Sequence, residues 1–356
     1  MVEVRFPDNG LSSDFGDIIL SEVSEKATAV FSIGGNPVLE EIYYPDANGK
    51  ISIRDAGQLA KIYFETPGMG ADSGADGSSV TFSISLQDRS NTISKTVTIY
   101  RCDAETAGTL SAAQLKAMPL SQATKKTTGF GRTEYTGFYG SGTVSVYAVF
   151  REINGPLART FTLHELPNSP ETFYRINVSP SRIAEVAGIP EADIVYYNVY
   201  KSTSEIIRFT IDRRPYPDKT TFVFRNCFGA QETFTCTGDT ETERKWERTF
   251  ASVDRRQHPV SHELTRKHTV NTGYISKEMT GVLEDLMNSE DVCIITPDGW
   301  EPVVILEESF KVSSRRDALT AVEFKYRHRS NNQMQYRHRP FRKPGIFDGT
   351  YNKSFN

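Results

Sequence analysis

The sequence predicts a mainly β protein, with antiparallel sheets in β-sandwich domains, a few short helices, and an α+β domain towards the C-terminal end. Stretches in which apolar and polar residues alternate occur along much of the chain, and this alternation is typical of half-buried strands. A helical period is clearest near residue 280. The hydrophobic content of 38% and the charged content of 24% are ordinary for a globular protein, and 356 residues are enough for more than one domain.

Strand patterns dominate the first part of the chain, which we expect to form one or more β-sandwich-like domains over residues 1–165. From Val80 to Leu86, apolar side chains alternate with Ser or Thr, and Val144 to Phe150 show a similar alternation. The sequence Ile-Asn-Gly-Pro at 153–156 is a turn signal, and a further strand pattern follows at 159–163. These strands are therefore expected to pair as hairpins.

Residues 166–215 are predicted to be a β-α-β connecting segment. Strand patterns occur near residues 173–178 and 194–200. Between them, Ser179 is a candidate helix cap, because its hydroxyl can accept a hydrogen bond from the first turn, and Gly188 suits the left-handed end of a helix. A short helix is therefore expected between the two strands.

The α+β domain is predicted to span residues 216–330, after a proline-containing basic stretch at 213–219. Two long polar strands with weak alternation are expected at about 241–252 and 260–270. A helix is expected after its cap Ser276, and its apolar residues recur at helical spacing: Met279, Val282, Leu283, Leu286 and Met287. Strands on both sides of this helix predict an antiparallel sheet.

Charge and composition argue against several classes of protein. The net charge is −4, and residues 1–165 hold 19 acidic and 14 basic residues, so nucleic-acid binding is not expected as the main task. The sequence starts without a basic segment followed by an apolar block, and it has no apolar run long enough for a membrane helix. Four cysteines without a CxxC motif indicate a reducing compartment, so we expect synthesis in the cytoplasm.

No motif for catalysis, a metal or a cofactor is found, and we expect a protein that is not an enzyme. The histidines cluster at His258, His262 and His268, but Pro259 and the strand-like surroundings favour polar strand residues over a zinc site. No GxSxG elbow is present. Because glycosidase carboxylates carry no sequence spacing, a sugar hydrolase stays open as a third alternative.

The layout of residues 210–332 resembles a C-terminal domain of tail proteins encoded by phages and prophages of Bacteroides-type bacteria. The stretches that carry the resemblance are IDRRPYPD, FRNCFGAQETF, WERTF, TGYISKEMTGVLEDLMNSEDV, DGWEPVVI and LTAVEFKYRHRSN, while TVTIYRCDAETAG resembles the family's N-terminal half. The resemblance implies the small β-domain of a distal-tail or hub protein, in which a sheet and one helix form a ring subunit around the tail axis. It also implies a location in the virion tail.

The last residues, 331–356, are expected to form a basic and aromatic C-terminal arm. Between positions 325 and 343 the sequence has seven Lys and Arg residues and no acidic residue. Three alternatives stay open: an arm that grips an acidic neighbour, a patch that touches DNA in the tail lumen, and a solvated basic end. The candidate interface residues of this arm and the strand before it are Tyr326, Arg327, Arg329, Tyr336, Arg337, Arg339, Phe341, Arg342, Phe347, Tyr351 and Phe355.

Aromatic residues also indicate a candidate glycan-binding face in the N-terminal domain. Tyr43 and Tyr44 stand beside Pro45, and Tyr135 and Tyr139 lie in a Gly-rich stretch. Packing in the core or at a subunit contact is the favoured alternative for the same residues.

We therefore expect a structural protein of a phage tail tip or baseplate, similar to distal-tail proteins and without a cofactor. Its expected partners are copies of itself, in a ring or trimer, and other tail proteins. The alternative is a tail protein that binds a receptor or a host surface glycan. Neither a membrane nor a nucleic acid is an expected partner.

Overall fold

The computed structural model describes residues 3–7, 10–13, 15–54, 56–64, 74–75, 79–89, 91–102, 112–153, 155–168, 172–217, 219–253, 256–306 and 320–329, with the backbone alone at 74–75, 112–113 and 248–263. Strands make up 57% of the structure and helices 13%, which confirms the predicted fold class. In this part of the chain, no helix has both the length and the apolar character needed to cross a membrane.

The N-terminal part forms two sheets that share one core. Its elements are, in chain order, β1 (Glu3–Arg5), β2 (Gly10–Leu11), β3 (Ile18–Ser21), β4 (Ala27–Ile33), β5 (Asn36–Tyr43), β6 (Ile51–Ile53), α1 (Ala56–Tyr63), β7 (Gly74–Ala75), β8 (Ser79–Asp88) and β9 (Asn91–Tyr100). The larger sheet has the order β2-β9-β8-β4-β5, and the smaller has the order β1-β3-β6. The apolar residues of β8 are buried, as their alternation predicts, and they pack with residues of β3 and β6.

The middle part builds a second core around a five-stranded sheet. Its elements are α2 (Ala112–Ala117), β10 (Lys125–Gly129), β11 (Tyr135–Tyr139), β12 (Gly142–Glu152), β13 (Gly155–Leu166), β14 (Phe173–Asn177), α3 (Pro180–Ala187), β15 (Ile194–Lys201) and β16 (Ser204–Asp212). The five-stranded sheet has the order β10-β16-β15-β12-β13, and a small sheet has the order β11-β14-β7. The segment predicted as a connection therefore supplies two strands to the sheet that holds β12 and β13.

The C-terminal part is a seven-stranded antiparallel sheet with one helix. Its elements are β17 (Thr220–Arg225), β18 (Gln231–Cys236), β19 (Thr240–Val253), β20 (Arg256–Asn271), α4 (Lys277–Asn288), β21 (Val292–Thr296), β22 (Gly299–Ile305) and β23 (Glu323–His328). The order is β18-β17-β21-β22-β23-β20-β19, and the apolar side of α4 packs on this sheet. The chain passes from one sheet to the next between Asp212 and Thr220, while the predicted domain limits stay predictions.

The helix ends test the capping predictions directly. Ser276 caps α4 as expected, because its hydroxyl accepts a hydrogen bond from the Met279 N–H at 3.4 Å. Gly188 ends α3 in the left-handed conformation, with a φ of 65°. Ser179 is a correction, since its side chain makes no capping bond and instead accepts one from the Glu134 N–H at 2.9 Å.

Candidate interaction site

The structure describes three of the eleven predicted interface residues. Tyr326 is a correction: its ring is buried in the C-terminal core, 5.4 Å from that of Phe222, because alternate residues of β23 face this core. Arg327 is exposed, and its role in an interface stays a prediction. Arg329 is exposed too, and it donates to the Glu290 carbonyl oxygen at 2.5 Å. The other eight lie outside the described residues: Tyr336, Arg337, Arg339, Phe341, Arg342, Phe347, Tyr351 and Phe355.

The candidate glycan-binding tyrosines do not form one surface. Tyr135 and Tyr139 are buried on β11, a strand that the fold encloses along its whole length, so the glycan prediction is corrected in favour of core packing. Tyr43 is half-buried, and its hydroxyl donates to a Glu41 carboxylate oxygen. Of the four rings, Tyr44 alone is strongly exposed, at 74%. One exposed ring is not a stacking platform for a sugar chain.

A long two-stranded ribbon leaves the edge of the C-terminal sheet. β19 has 14 residues and β20 has 16, and they pair from Thr240 and Val270 out to Val253 and Arg256. β23 pairs with β20 only over His268–Asn271. Residues 243–253 and 256–267 therefore extend beyond the sheet as a ribbon about 35 Å long at the usual strand rise. We call these residues the β19–β20 ribbon.

The two faces of the β19–β20 ribbon differ in charge. On one face, Arg244 lies opposite Arg266, and the next pair on that face is Trp246 opposite Leu264. We call these four residues the basic face; the indole of Trp246 is 56% exposed. The two arginines bring positive charge to adjacent positions on this face, and a guanidinium group pairs well with a carboxylate.

The opposite face of the ribbon carries charges of both signs. Lys245 and Glu247 form an ion pair with a 2.7 Å separation between Nζ and Oε1, and both side chains are exposed. Glu243 lies opposite Lys267 in the register. Glu247 lies opposite Glu263 in the same register, so this face is mixed in charge, whereas the charged members of the basic face are both arginines.

The root of the ribbon packs on the C-terminal core through His268. Its ring stacks on the buried Tyr326 ring at 4.9 Å, and it forms a 3.1 Å hydrogen bond with the Thr242 hydroxyl. Burial lowers the pKa of His268, and the positive charges of Arg266 and Arg244 contribute to the same shift. The neutral form of the imidazole is therefore favoured at this position, and its pKa depends on the charge of the basic face.

A second concentration of polar side chains is buried where the middle part meets β18. Lys126 and Glu232 form an ion pair with both side chains almost fully buried. The other Glu232 carboxylate oxygen accepts from the Asn226 side-chain amide at 2.7 Å. Burial raises the pKa of nearby Glu134 despite the charge of Lys126, and Thr233 donates to this carboxyl group at 2.8 Å. We call these five residues the buried junction.

A cavity of about 180 Å³ lies close to the buried junction, between the N-terminal part and α4. Its lining includes Arg101 and Arg225, and both guanidinium groups approach the Asp291 carboxylate, at 2.7 and 3.7 Å. Burial, with help from the charge of Glu232, raises the pKa of the lining residue Asp285 to about 6. Within the described residues, no group of three His, Cys, Asp or Glu side chains is placed to hold a metal ion. The Arg101–Asp291 ion pair joins the N-terminal part to the C-terminal part, and Arg225 contacts the same carboxylate from within the C-terminal part.

Sequence reasoning placed the two polar strands correctly but did not identify the basic face. The strands predicted at about 241–252 and 260–270 are β19 and β20, and His258, His262 and His268 all lie on β20. The sequence does place Arg244 and Trp246 two positions apart on one strand. The basic face forms, however, only because the register brings Arg266 and Leu264 opposite them. A single strand pattern does not contain that register.

No protein-family model matches the chain, and no curated protein matches it significantly. Among solved structures, titin A168169 shows 10% identity and a TM-score of 0.22, with 60% of this chain and 100% of that chain covered. A Bacteroides ovatus protein, SGBP-B, solved with a mixed-linkage heptasaccharide, shows 10% identity and a TM-score of 0.15 over 74% of this chain and 69% of that one. The surface layer protein SbsC shows 10% identity and a TM-score of 0.18 over 86% and 54%. Similarities with such TM-scores carry no argument about this protein.

Proposed function

We propose that this chain is a structural subunit of a phage tail tip or baseplate, similar to distal-tail proteins, which assembles into a ring or trimer in the virion. The observation that supports this proposal is the β19–β20 ribbon, which extends beyond its sheet and exposes Trp246 on a basic face. The phage assignment is further supported by the stretches of residues 210–332 that resemble tail proteins. No reactive centre is needed for this task.

The ribbon fits a role in assembly for energetic reasons. A two-stranded hairpin without a third strand is marginally stable in water, because it buries little apolar surface. Exposed tryptophan and arginine are also the residue types that contribute most to binding energy at protein interfaces. A partner on the basic face would cover Trp246 and bring carboxylates to the facing arginines. The contact with this partner would then stabilise the ribbon in the assembly.

The direct test is the state of association of the full chain. We expect wild-type protein to associate with rising concentration in sedimentation-velocity experiments, and Trp246→Ser to stay monomeric over the same range. The matched control is Ile153→Ser, because Ile153 is another exposed large apolar residue but lies at the turn between β12 and β13. Association that is unchanged in Trp246→Ser would contradict the proposed role of the ribbon.

The phage assignment needs its own measurement. We expect mass spectrometry of purified tailed particles from a host that carries this gene to detect the chain in the tail fraction. Consistent absence from the particles would overturn the assignment. A monomeric chain that binds specific sugars on a glycan array, and loses this binding in Tyr44→Ala, would favour the receptor-binding alternative.

A further inference from the structure

The edge of the N-terminal sheet carries a stripe that complements the basic face. β5 pairs with β4 and has no second strand partner in the described part of the chain. Leu39, opposite Phe31, and Tyr43, opposite Ala27, face the N-terminal core. The alternate residues Glu40 and Ile42 therefore point outwards, and Tyr44 follows directly after the strand. We call these three residues the acidic stripe, after its one charged group, the Glu40 carboxylate.

The acidic stripe is open to solvent along its length. Glu40 is exposed, Ile42 is 53% exposed and Tyr44 is the most exposed of the three. A large aliphatic side chain on an exposed edge strand is a favourable place for a second strand to pair. Pro37 lies near the start of β5 and lacks an N–H, so pairing is favoured on the later residues of the strand, where the stripe lies.

The two surfaces match in chemistry and in spacing. In each strand, a charged residue and a large apolar residue are two positions apart: Glu40 and Ile42 on β5, and Arg244 and Trp246 on β19. Alternate residues of any strand are about 6.6 Å apart, so both contacts can form when β5 and β19 run parallel to each other. The carboxylate would meet an arginine while the apolar side chains cover each other.

We propose that the β19 edge of the ribbon pairs with the β5 edge of a second copy of this chain, so that its basic face meets the acidic stripe. This inference rests on the proposed function and names the partner of the same site. Within one chain β5 pairs with β4 and β19 with β20, so each copy offers both surfaces to its neighbours. A contact between two different surfaces is repeated from copy to copy, and it closes into a ring when the rotation permits.

The composition of the chain favours a second copy over an unrelated acidic protein. Residues 1–165 hold 19 acidic and 14 basic residues, while the rest of the chain holds 26 acidic and 27 basic residues. The acidic part of one copy therefore attracts the basic face of another at long range. We expect association to weaken as salt is raised, because the arginines and glutamates are exposed before the contact forms.

The test is a charge exchange in the full chain, measured by sedimentation equilibrium in low and high salt. Arg244→Glu and Glu40→Arg should each weaken association by about tenfold or more in low salt. The double variant Arg244→Glu/Glu40→Arg should recover much of the lost affinity, because the pair is restored with reversed signs. A mixture of the two single variants should also associate. The unchanged basic face of Glu40→Arg can meet the unchanged acidic stripe of Arg244→Glu, and the two substituted surfaces can meet each other.

Two controls separate this inference from the proposed function. Arg151→Glu changes the charge by the same amount as Arg244→Glu at an exposed position on β12, outside both surfaces, and it should retain most of the wild-type affinity. If Trp246→Ser abolishes association but Glu40→Arg has no effect, the ribbon is an interface with another surface and the pairing with β5 is wrong. If the double variant associates no better than either single variant, the pairing is wrong as well.

Discussion

Two lysine–glutamate ion pairs in this protein lie in opposite environments. Lys126 and Glu232 are almost fully buried where the middle part meets the C-terminal sheet, whereas Lys245 and Glu247 are exposed on the β19–β20 ribbon. A buried pair is costly to break because the remaining charge has no water, while an exposed pair contributes little. Burial therefore decides how much an ion pair contributes to the stability of this fold, and we expect the two pairs to respond very differently to substitution.

The largest expected effect comes from breaking the buried pair. Lys126→Met should lower the free energy of unfolding by about 3–5 kcal/mol, because Glu232 then keeps its charge without the ammonium group. Urea unfolding followed by circular dichroism measures this change. Lys245→Met is the matched control on the ribbon, and we expect a much smaller loss, because the exposed pair is screened by water.

A second variant checks the reason for that loss. Lys126→Met/Glu232→Gln removes both charges of the pair and should be more stable than Lys126→Met alone. Equal stability of the two variants would mean that the uncompensated carboxylate is not the source of the cost.

A smaller effect of opposite sign is expected at Asp285, in the cavity beside the buried junction. Its pKa is raised to about 6 in the folded chain from an ordinary value of 3.8, so stability contributed by the protonated form is lost as pH rises through this range. Asp285→Asn should therefore stabilise the protein by about 1 kcal/mol at pH 7. Thermal unfolding at several pH values should show the gain shrink towards pH 4. A constant gain across this range would rule out titration as its cause.

On the exposed side of the comparison, removal of an apolar side chain should leave the fold intact. Trp246→Ser should change the free energy of unfolding of the monomer by no more than about 0.5 kcal/mol, because the indole is already half in solvent. Denaturant unfolding at a concentration where the wild type is monomeric measures this value. A large loss would show that Trp246 stabilises the ribbon within one chain, and would weaken its assignment to an interface.

The smallest expected effect is a change in the titration of His268. Positive charge on Arg244 and Arg266 contributes to its lowered pKa, so Arg244→Gln should raise this pKa towards the ordinary value of 6.5. In the wild type, the lowered pKa means that stability is lost as pH falls below 6.5. Proton NMR of the imidazole follows the shift. Lys245→Gln serves as the control, and we expect it to leave His268 unchanged.

The sequence predicted best the elements whose two sides face different environments. The β8 residues Val80 to Leu86 and the helix after Ser276 each bury one side, so their apolar spacing is visible in the sequence. The weak alternation of β19 has a physical reason too, because its residues 241–247 are exposed on both faces of the strand. Weak alternation in a long strand pair is thus a feature of the projecting ribbon.

Other features could not be predicted because they depend on distant partners. β11 is buried on both sides, so Tyr135 and Tyr139 show no alternation that would place them in the core. The parallel pairing of β10 with β16 joins residues more than 80 positions apart. Ser179 has the right residue type for a cap, but a tertiary contact with Glu134 uses its hydroxyl instead. The basic face likewise depends on the register between β19 and β20, which brings its four residues together.

The buried junction also sets an order of events during synthesis. Lys126 and Glu232 are 106 positions apart, so the ribosome must add all the residues between them before the ammonium group can meet its carboxylate. The strands β4, β5, β8 and β9 lie within residues 27–100. In the described part of the chain they pair with one another, and β9 also pairs with β2. The N-terminal sheet can thus mature while the chain is still growing, whereas the middle part must wait with its charged groups hydrated. Slow translation before residue 232 would prolong that waiting state and expose it to chaperones and aggregation.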